Sequence, residues 1–206
     1  MDEYRTVERE ASSEFTERRS RFLGHAKPVQ SEEEAVAFIN EMKSRYWDAN
    51  HNVYAYVLRD GQTRRYSDDG EPQGTAGIPV LEVIQKSGLT DVAVVVTRYF
   101  GGILLGTGGL VRAYSHGASL AIAEAGPLTM RKFQIAELVC DYTQYGRVAA
   151  LIPECGGVID DTGFTDRVAI LYHMTAADKP VFDKKLADAT SGQVAVTVLE
   201  EKYFAC

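Results

Sequence analysis

Cysteine is scarce in this chain. Cys140, Cys155 and Cys206 are the only three among 206 residues, and no CxxC occurs. An odd, scattered set of thiols argues against a disulfide framework and against a structural zinc site. Long apolar runs are missing too: none approaches the roughly 18 residues a membrane helix needs. The opening MDEYRTVERE is charged where a secretory leader has an apolar core. These absences predict a cytoplasmic protein with no membrane partner. Positive charge is in deficit. The net charge is −7 and both halves are acidic, so this is not the basic body of a generic nucleic-acid binder. Any polyanion contact must come from a local patch. Complete catalytic signatures are also lacking. There is no HExxH, GxSxG or kinase set, and the four histidines form no HxxxH or HxH pair.

What remains is an ordinary globular composition, 45% hydrophobic and 25% charged, enough for one large domain or two small ones. Short β patterns cover 4–10, 12–17 and 20–27. Ser31 with Glu34 forms a capping box before a helical stripe of Ala35, Phe38, Ile39, Met42 and Tyr46. HNVYAYVLRDGQTRRYSDDG gives two β runs around Asp60–Gly61, a hairpin signal. Pro79 opens a helix ending at Ser87–Gly88. Val92–Thr97 is an unbroken apolar strand, and Leu110–Ala125 is a helix closed by Gly126–Pro127. The pattern then changes. Strand Phe133–Cys140, helix Gln144–Ile152, strands Gly157–Asp160 and Phe164–Met174 joined at DTG, helix Pro180–Ala189 and strand Val194–Leu199 make a βαββαβ order. The reading is α+β with two domains, 1–130 and a ferredoxin-like 131–206.

Two segments concentrate candidate chemistry. Gly101, Gly102, Gly106, Gly108 and Gly109 fall between a strand and a helix, flanked by Arg98 and Arg112. Glycines allow close backbone approach, and amides at a helix start can hold an anion. The nucleotide fingerprints nevertheless fail, because Val111 and Thr107 stand where GxGxxG and the phosphate loop require glycine and lysine. A tight turn that packs the helix onto its sheet is one alternative; a surface meeting a phosphate backbone or a partner protein is another. The second segment, RRYSDDGEPQGTAG, crowds Asp68, Asp69 and Glu71 together with Ser67, Gly74 and Thr75. Three carboxylates in four positions could hold Mg²⁺ or act as acid and base. An Asx turn capping the next element explains them equally. His25 and His173 read as structural or solvent-facing, His51 as part of the loop surface, and Arg18, Arg19 and Arg21 as a solvated basic cluster.

HNVYAY, YSDDGEPQGTAGIPVLEVI and VVVTRYFGGILLGTGGLVRAYS together resemble the IMPACT/YigZ family, with Leu104–Leu105 standing where a lysine often sits in GGIKLG. The tail resembles the small C-terminal domain of bacterial members. The resemblance implies an N-terminal fold similar to ribosomal protein S5 domain 2 and elongation factor G domain IV, and a C-terminal ferredoxin-like domain similar to domain V of that factor. It implies a regulatory protein tied to translation through RNA, the ribosome or a regulatory protein; because no complete catalytic constellation is readable, the expectation is a non-enzymatic protein with no cofactor. A Mg-dependent hydrolase or a nucleotide- or phosphate-binding enzyme, using Ser67–Glu71 and the Gly101–Gly109 loop, is the alternative. The predicted contact face joins Ser67, Asp68, Asp69, Glu71, Gly74, Thr75, Arg98, Tyr99, Phe100, the five loop glycines and Arg112.

Overall fold

The protein is described by a computed structural model covering residues 2–59 and 63–206. In order its elements are β1 Glu3–Val7, β2 Ala11–Glu17, β3 Ser20–Pro28, α1 Glu32–Arg45, β4 His51–Val57, β5 Arg64–Ser67, α2 Gly77–Lys86, β6 Val92–Tyr99, α3 Thr107–Ala125, β7 Pro127–Cys140, α4 Tyr142–Glu154, β8 Val158–Phe164, β9 Val168–Met174, α5 Lys179–Thr190 and β10 Val196–Ala205. They form two compact units that divide at Thr129/Met130. The fold is α+β with antiparallel sheets. The expected turn at Asp60–Gly61 lies outside the described residues.

In the first unit the sheet order is β2-β3-β6-β4-β5, with every pairing antiparallel. The apolar run of β6 has a direct cause: helices cover both of its faces. Val92, Val94 and Val96 join a core with α2 and α3, while Ala93 and Val95 pack with Phe38, Ile39 and Met42 of α1. Ser31 caps α1, its Oγ accepting from the Glu34 N–H at 3.2 Å. Three glutamates follow in the first turn, where they suit the positive end of the helix dipole.

Close approach of α3 to the sheet depends on glycine at one crossing. A Cβ on Gly24 of β3 would lie 2.4 Å from the Gly117 carbonyl oxygen of α3. Gly24→Ala must therefore push the helix off the sheet. We expect a stability loss of about 2 kcal/mol from overpacking, read as a lower urea midpoint. An unchanged midpoint would mean that α3 shifts at no cost.

The β2–β3 hairpin turns on Arg18 and Arg19, with φ of 44° and 67° between the paired residues Glu17 and Ser20. Two successive left-handed residues suit the strand twist, but they are unusual for arginine. The strained turn also fixes Arg18 and Arg19 at one end of the sheet.

The second unit has the order β10-β7-β9-β8, again antiparallel. Its core joins Leu138, Cys140, Ile170 and Tyr172 to Val148, Ile152, Phe182 and Leu186 of the two helices. This is the βαββαβ ferredoxin-like arrangement. Several boundaries differ from the sequence reading: β7 begins at Pro127 rather than Phe133, and β10 runs from Val196 to Ala205 rather than from Val194 to Leu199. β8 continues through Asp161–Gly163, so the chain reverses at 165–167 rather than at DTG. α3 begins at Thr107, three residues earlier than its apolar periodicity suggests.

Candidate functional site: a basic glycine-loop face with two recesses

The acidic turn between β5 and α2 distributes its carboxylates to different tasks. Ala76, at the N-cap of α2, has no side-chain oxygen to give. Asp68 caps the helix instead, its Oδ1 accepting from the N–H of Ala76 (3.1 Å) and Gly77 (2.8 Å) and its Oδ2 from Gly74 (2.9 Å). Asp69, at φ 43°, accepts from Lys43 Nζ at 2.8 Å and from the Asn52 N–H at 2.6 Å. Its own N–H donates to Ser67 Oγ at 3.1 Å. The Asp69 carbonyl lies 2.9 Å from His51 Nδ1. A carbonyl can only accept, so Nδ1 carries the proton and, in the neutral ring, Nε2 is left as an acceptor. Thr75 is buried and donates to the Pro72 carbonyl.

Glu71 lies deeper, 8% exposed. Its Oε1 accepts from Arg98 Nη1 at 2.6 Å and from the Tyr114 hydroxyl at 2.7 Å. Burial first, and the Glu71 charge second, hold the Tyr114 phenol far above its ordinary range, so it stays a donor. Arg98 is only 4% exposed. Its guanidinium lies between the rings of Phe22 and Phe100, 5.5 and 5.3 Å from their centroids, and Nη2 donates to Ser20 Oγ. Arg98 is therefore not the exposed cation that its position before the glycine loop suggested. It follows Val92, Val94 and Val96 on the face of β6 that meets α2 and α3, and its charge is met there by Glu71.

Past β6 the loop is pinned where it begins. Tyr99 donates its hydroxyl to Asp48, and the Phe100 N–H donates to Asn50 Oδ1 at 2.7 Å. A Cβ on Gly101 would sit 2.0 Å from the Arg19 carbonyl oxygen, so the loop lies directly on the β2–β3 turn. Gly102 (φ 84°) and Gly106 (φ 73°) occupy left-handed backbone. Because α3 starts at Thr107, Gly108 and Gly109 belong to its first turn. Arg112 is exposed, and among the described residues it has no ion-pair or hydrogen-bond partner. A Cβ on Gly108 would meet Arg112 Nη1 at 3.7 Å, so the side chain reaches back over that turn.

Two recesses open beside this loop. One, of about 400 Å³, has apolar walls from Pro72, Phe100, Leu104 and Leu110, with Asn50, His51, Glu71, Arg98, Gly106 and Thr107 completing it. The other, of about 240 Å³, is lined by Arg18, Arg112 and His116 with Phe15, Glu17 and Gly109. Leu105 lines both. The face foreseen from sequence is thus only partly assembled. Glu71, Arg98, Phe100 and Gly106 reach the first recess, and Gly109 and Arg112 the second. Ser67, Asp68, Asp69, Gly74, Thr75, Tyr99, Gly101, Gly102 and Gly108 line neither; most of them hold the turn and loop in shape. Arg18 and His116 were not foreseen. The basic cluster at Arg18–Arg21 was visible as charge, but its place against the loop comes from the hairpin.

Residues 18–122 match the Impact N-terminal domain, and residues 138–193 match a domain of unknown function (DUF1949). The chain is 34% identical over 194 residues to the IMPACT family member YvyE of Bacillus subtilis, covering 94% of this chain and 89% of that one. The chain belongs to the IMPACT family. Another IMPACT family member, YigZ of Escherichia coli, is 38% identical over 189 residues, covering 89% of this chain and 92% of its own. A eukaryotic relative, the protein IMPACT homolog of Dictyostelium discoideum, is 40% identical over 96 residues, 44% of this chain and 27% of that protein. A solved structure described only as a hypothetical protein aligns with a TM-score of 0.62 at 33% identity, covering 97% of this chain and 98% of the other. The Impact N-terminal match contains every residue lining the two recesses except Phe15 and Glu17. Among the described residues no helix is long and apolar enough to cross a membrane.

Proposed function

We propose that this IMPACT-family chain is a non-enzymatic binding protein linked to translation, and that its N-terminal unit meets structured RNA through the Arg18–Phe100–Arg112 face. One observation carries the reading. In a chain of net charge −7, Arg18 and Arg112 border the same recess with no carboxylate paired to either among the described residues. Unneutralised arginines gathered on an acidic body are a local polyanion footprint. The apolar side chains beside them support a contact face as well: Phe100 is 42% exposed, Ile103 39% and Leu104 80%. The engagement of Asp68 with α2, Asp69 with Lys43 and Glu71 with Arg98 favours binding over a hydrolase built on the acidic turn. Each carboxylate is already committed to a different part of the fold. Phosphate contacts of this kind set position rather than sequence preference.

The test is binding of the full chain to purified ribosomal subunits and to their extracted RNA over a range of salt. Arg18→Ala and Arg112→Ala are each expected to reduce the slope of log affinity against log salt by about one unit, without a change in melting temperature. Parent-like slopes in both variants would remove this face from the contact.

A further inference from the structure

Resting on the RNA-binding reading, a narrower assignment follows from how the two recesses are built. In the larger one most polar groups are occupied. Asn50 Oδ1 accepts the Phe100 N–H, and Glu71 and Arg98 neutralise each other at 2.6 Å. His51 Nε2 is less committed, with Glu71 Oε1 at 3.8 Å, beyond hydrogen-bond distance. Its other nitrogen is fixed by the Asp69 carbonyl, so in the neutral ring Nε2 is an acceptor in the wall of this recess, beside the mutually neutralised Glu71 and Arg98. In the smaller recess Arg112 has no partner among the described residues. Arg18 makes only a 3.5 Å approach to the Leu104 carbonyl. The first recess can thus hold something flat and apolar that carries an N–H donor at its edge. The second, where two arginines face the single carboxylate of Glu17, can hold an anion. Only the Leu105 side chain is common to both walls.

We propose that the pair of recesses takes one nucleotide unit, its base against Phe100 and Leu104 and its phosphate between Arg18 and Arg112. A base offers π faces to Phe100 and apolar contact to Leu104, and its amino or imino N–H can donate to His51 Nε2. Closing over the base would bury Leu104, which stands 80% exposed. The phosphate supplies the acceptors two guanidiniums need for charge-assisted hydrogen bonds. Charge complementarity favours a nucleotide over an apolar protein side chain. Every nucleotide carries its anion beside the base, whereas a peptide would need an acidic residue in register with an aromatic one. A free nucleotide and a splayed nucleotide within RNA share this chemistry.

Calorimetry on the full chain separates these cases, using each nucleoside monophosphate, the nucleosides, inorganic phosphate, a short single-stranded RNA and the same RNA with abasic positions. The monophosphate, or the intact RNA over its abasic form, should bind about tenfold or more tightly than ligand lacking the base. Arg112→Ala should reduce monophosphate binding toward that of the nucleoside, and Arg18→Ala/Arg112→Ala should reduce it to that level. Leu104→Ala should weaken monophosphate and intact RNA but leave phosphate and abasic RNA unchanged. Both side chains are exposed, and unchanged melting temperatures would confirm that the variants fold. Tight binding of the free monophosphate assigns the site to a small nucleotide; binding only of intact RNA assigns it to a nucleotide within a strand. If abasic and intact RNA bind equally, with the salt slope intact, RNA binding stands and the nucleotide assignment falls. If no RNA or nucleotide binds and an acidic aromatic peptide does, both fall.

Discussion

Arg98→Ala is expected to destabilise the N-terminal unit by about 3–5 kcal/mol, the usual cost of removing one partner from a buried ion pair. The pair is buried: the Arg98 and Glu71 side chains are 5% and 4% exposed. Without the guanidinium, the Glu71 carboxylate keeps the Tyr114 hydroxyl as its remaining close donor and must either stay charged in an apolar setting or take up a proton. The gap between Phe22 and Phe100 adds lost packing. The companion variant Arg98→Met/Glu71→Leu removes both charges at similar volume and should recover part of the loss, because desolvation offsets much of what a buried pair contributes, while the buried Tyr114 hydroxyl loses its acceptor. Urea unfolding of the parent, Arg98→Ala and the double variant decides the matter. A parent-like midpoint for Arg98→Ala would mean that the arginine does not stabilise the fold and is free to serve a partner.

This arginine shows what the sequence could and could not reveal. Arg98 stands next to a glycine-rich loop, where a cation suggests a ligand. The partner that neutralises it lies 27 residues earlier, and no local pattern links the two. The alternation of β6 was the available clue, since position 98 follows Val92, Val94 and Val96 onto a helix-covered face. β6 itself was legible because valine on both faces leaves few other readings. α1 was legible because its Ser31 cap and apolar stripe agree. The start of α3 was not, because Gly108 and Gly109 carry no side-chain signal to separate loop from first turn, and the left-handed Gly106 sets the boundary. The DTG tripeptide looks like a turn but is held within β8 by pairing to β9. The capping role of Asp68 was among the alternatives read from the turn. The recess shared by Arg18, Arg112 and His116 depends on the β2–β3 hairpin folding against the loop, with Gly101 touching the Arg19 backbone. Such tertiary contacts leave little trace in spacing.

The stability of this chain is also expected to fall through mild acid because of His25, and the size of that fall is testable apart from the carboxylates. His25 is 1% exposed in the middle of β3 and stacks on Tyr46 at 5.0 Å. Its Nδ1 faces Ser12 Oγ at 2.8 Å, but Nε2 is buried without a partner. An imidazolium would carry N–H donors on both nitrogens and could satisfy only one. Desolvation, reinforced by the nearby Arg45 and only partly opposed by Glu10, lowers the His25 pKa from 6.5 to about 4. The unfolded ring therefore binds a proton from about pH 6.5 downward, and the folded ring only near pH 4. Stability rises with pH wherever the unfolded state holds more protons. The His25 contribution is thus complete above pH 6.5 and is lost as the pH falls toward 4, at a cost of roughly 3 kcal/mol over that window. His25→Phe keeps a ring on Tyr46 and removes the titration. Denaturant unfolding at pH 7 and pH 4.5 should show the parent losing roughly 2–3 kcal/mol more than the variant between the two conditions, whatever the variant's absolute stability at pH 7. Equal losses in the two proteins would mean that water reaches the His25 ring, or that the strand opens readily enough to protonate it in the folded state.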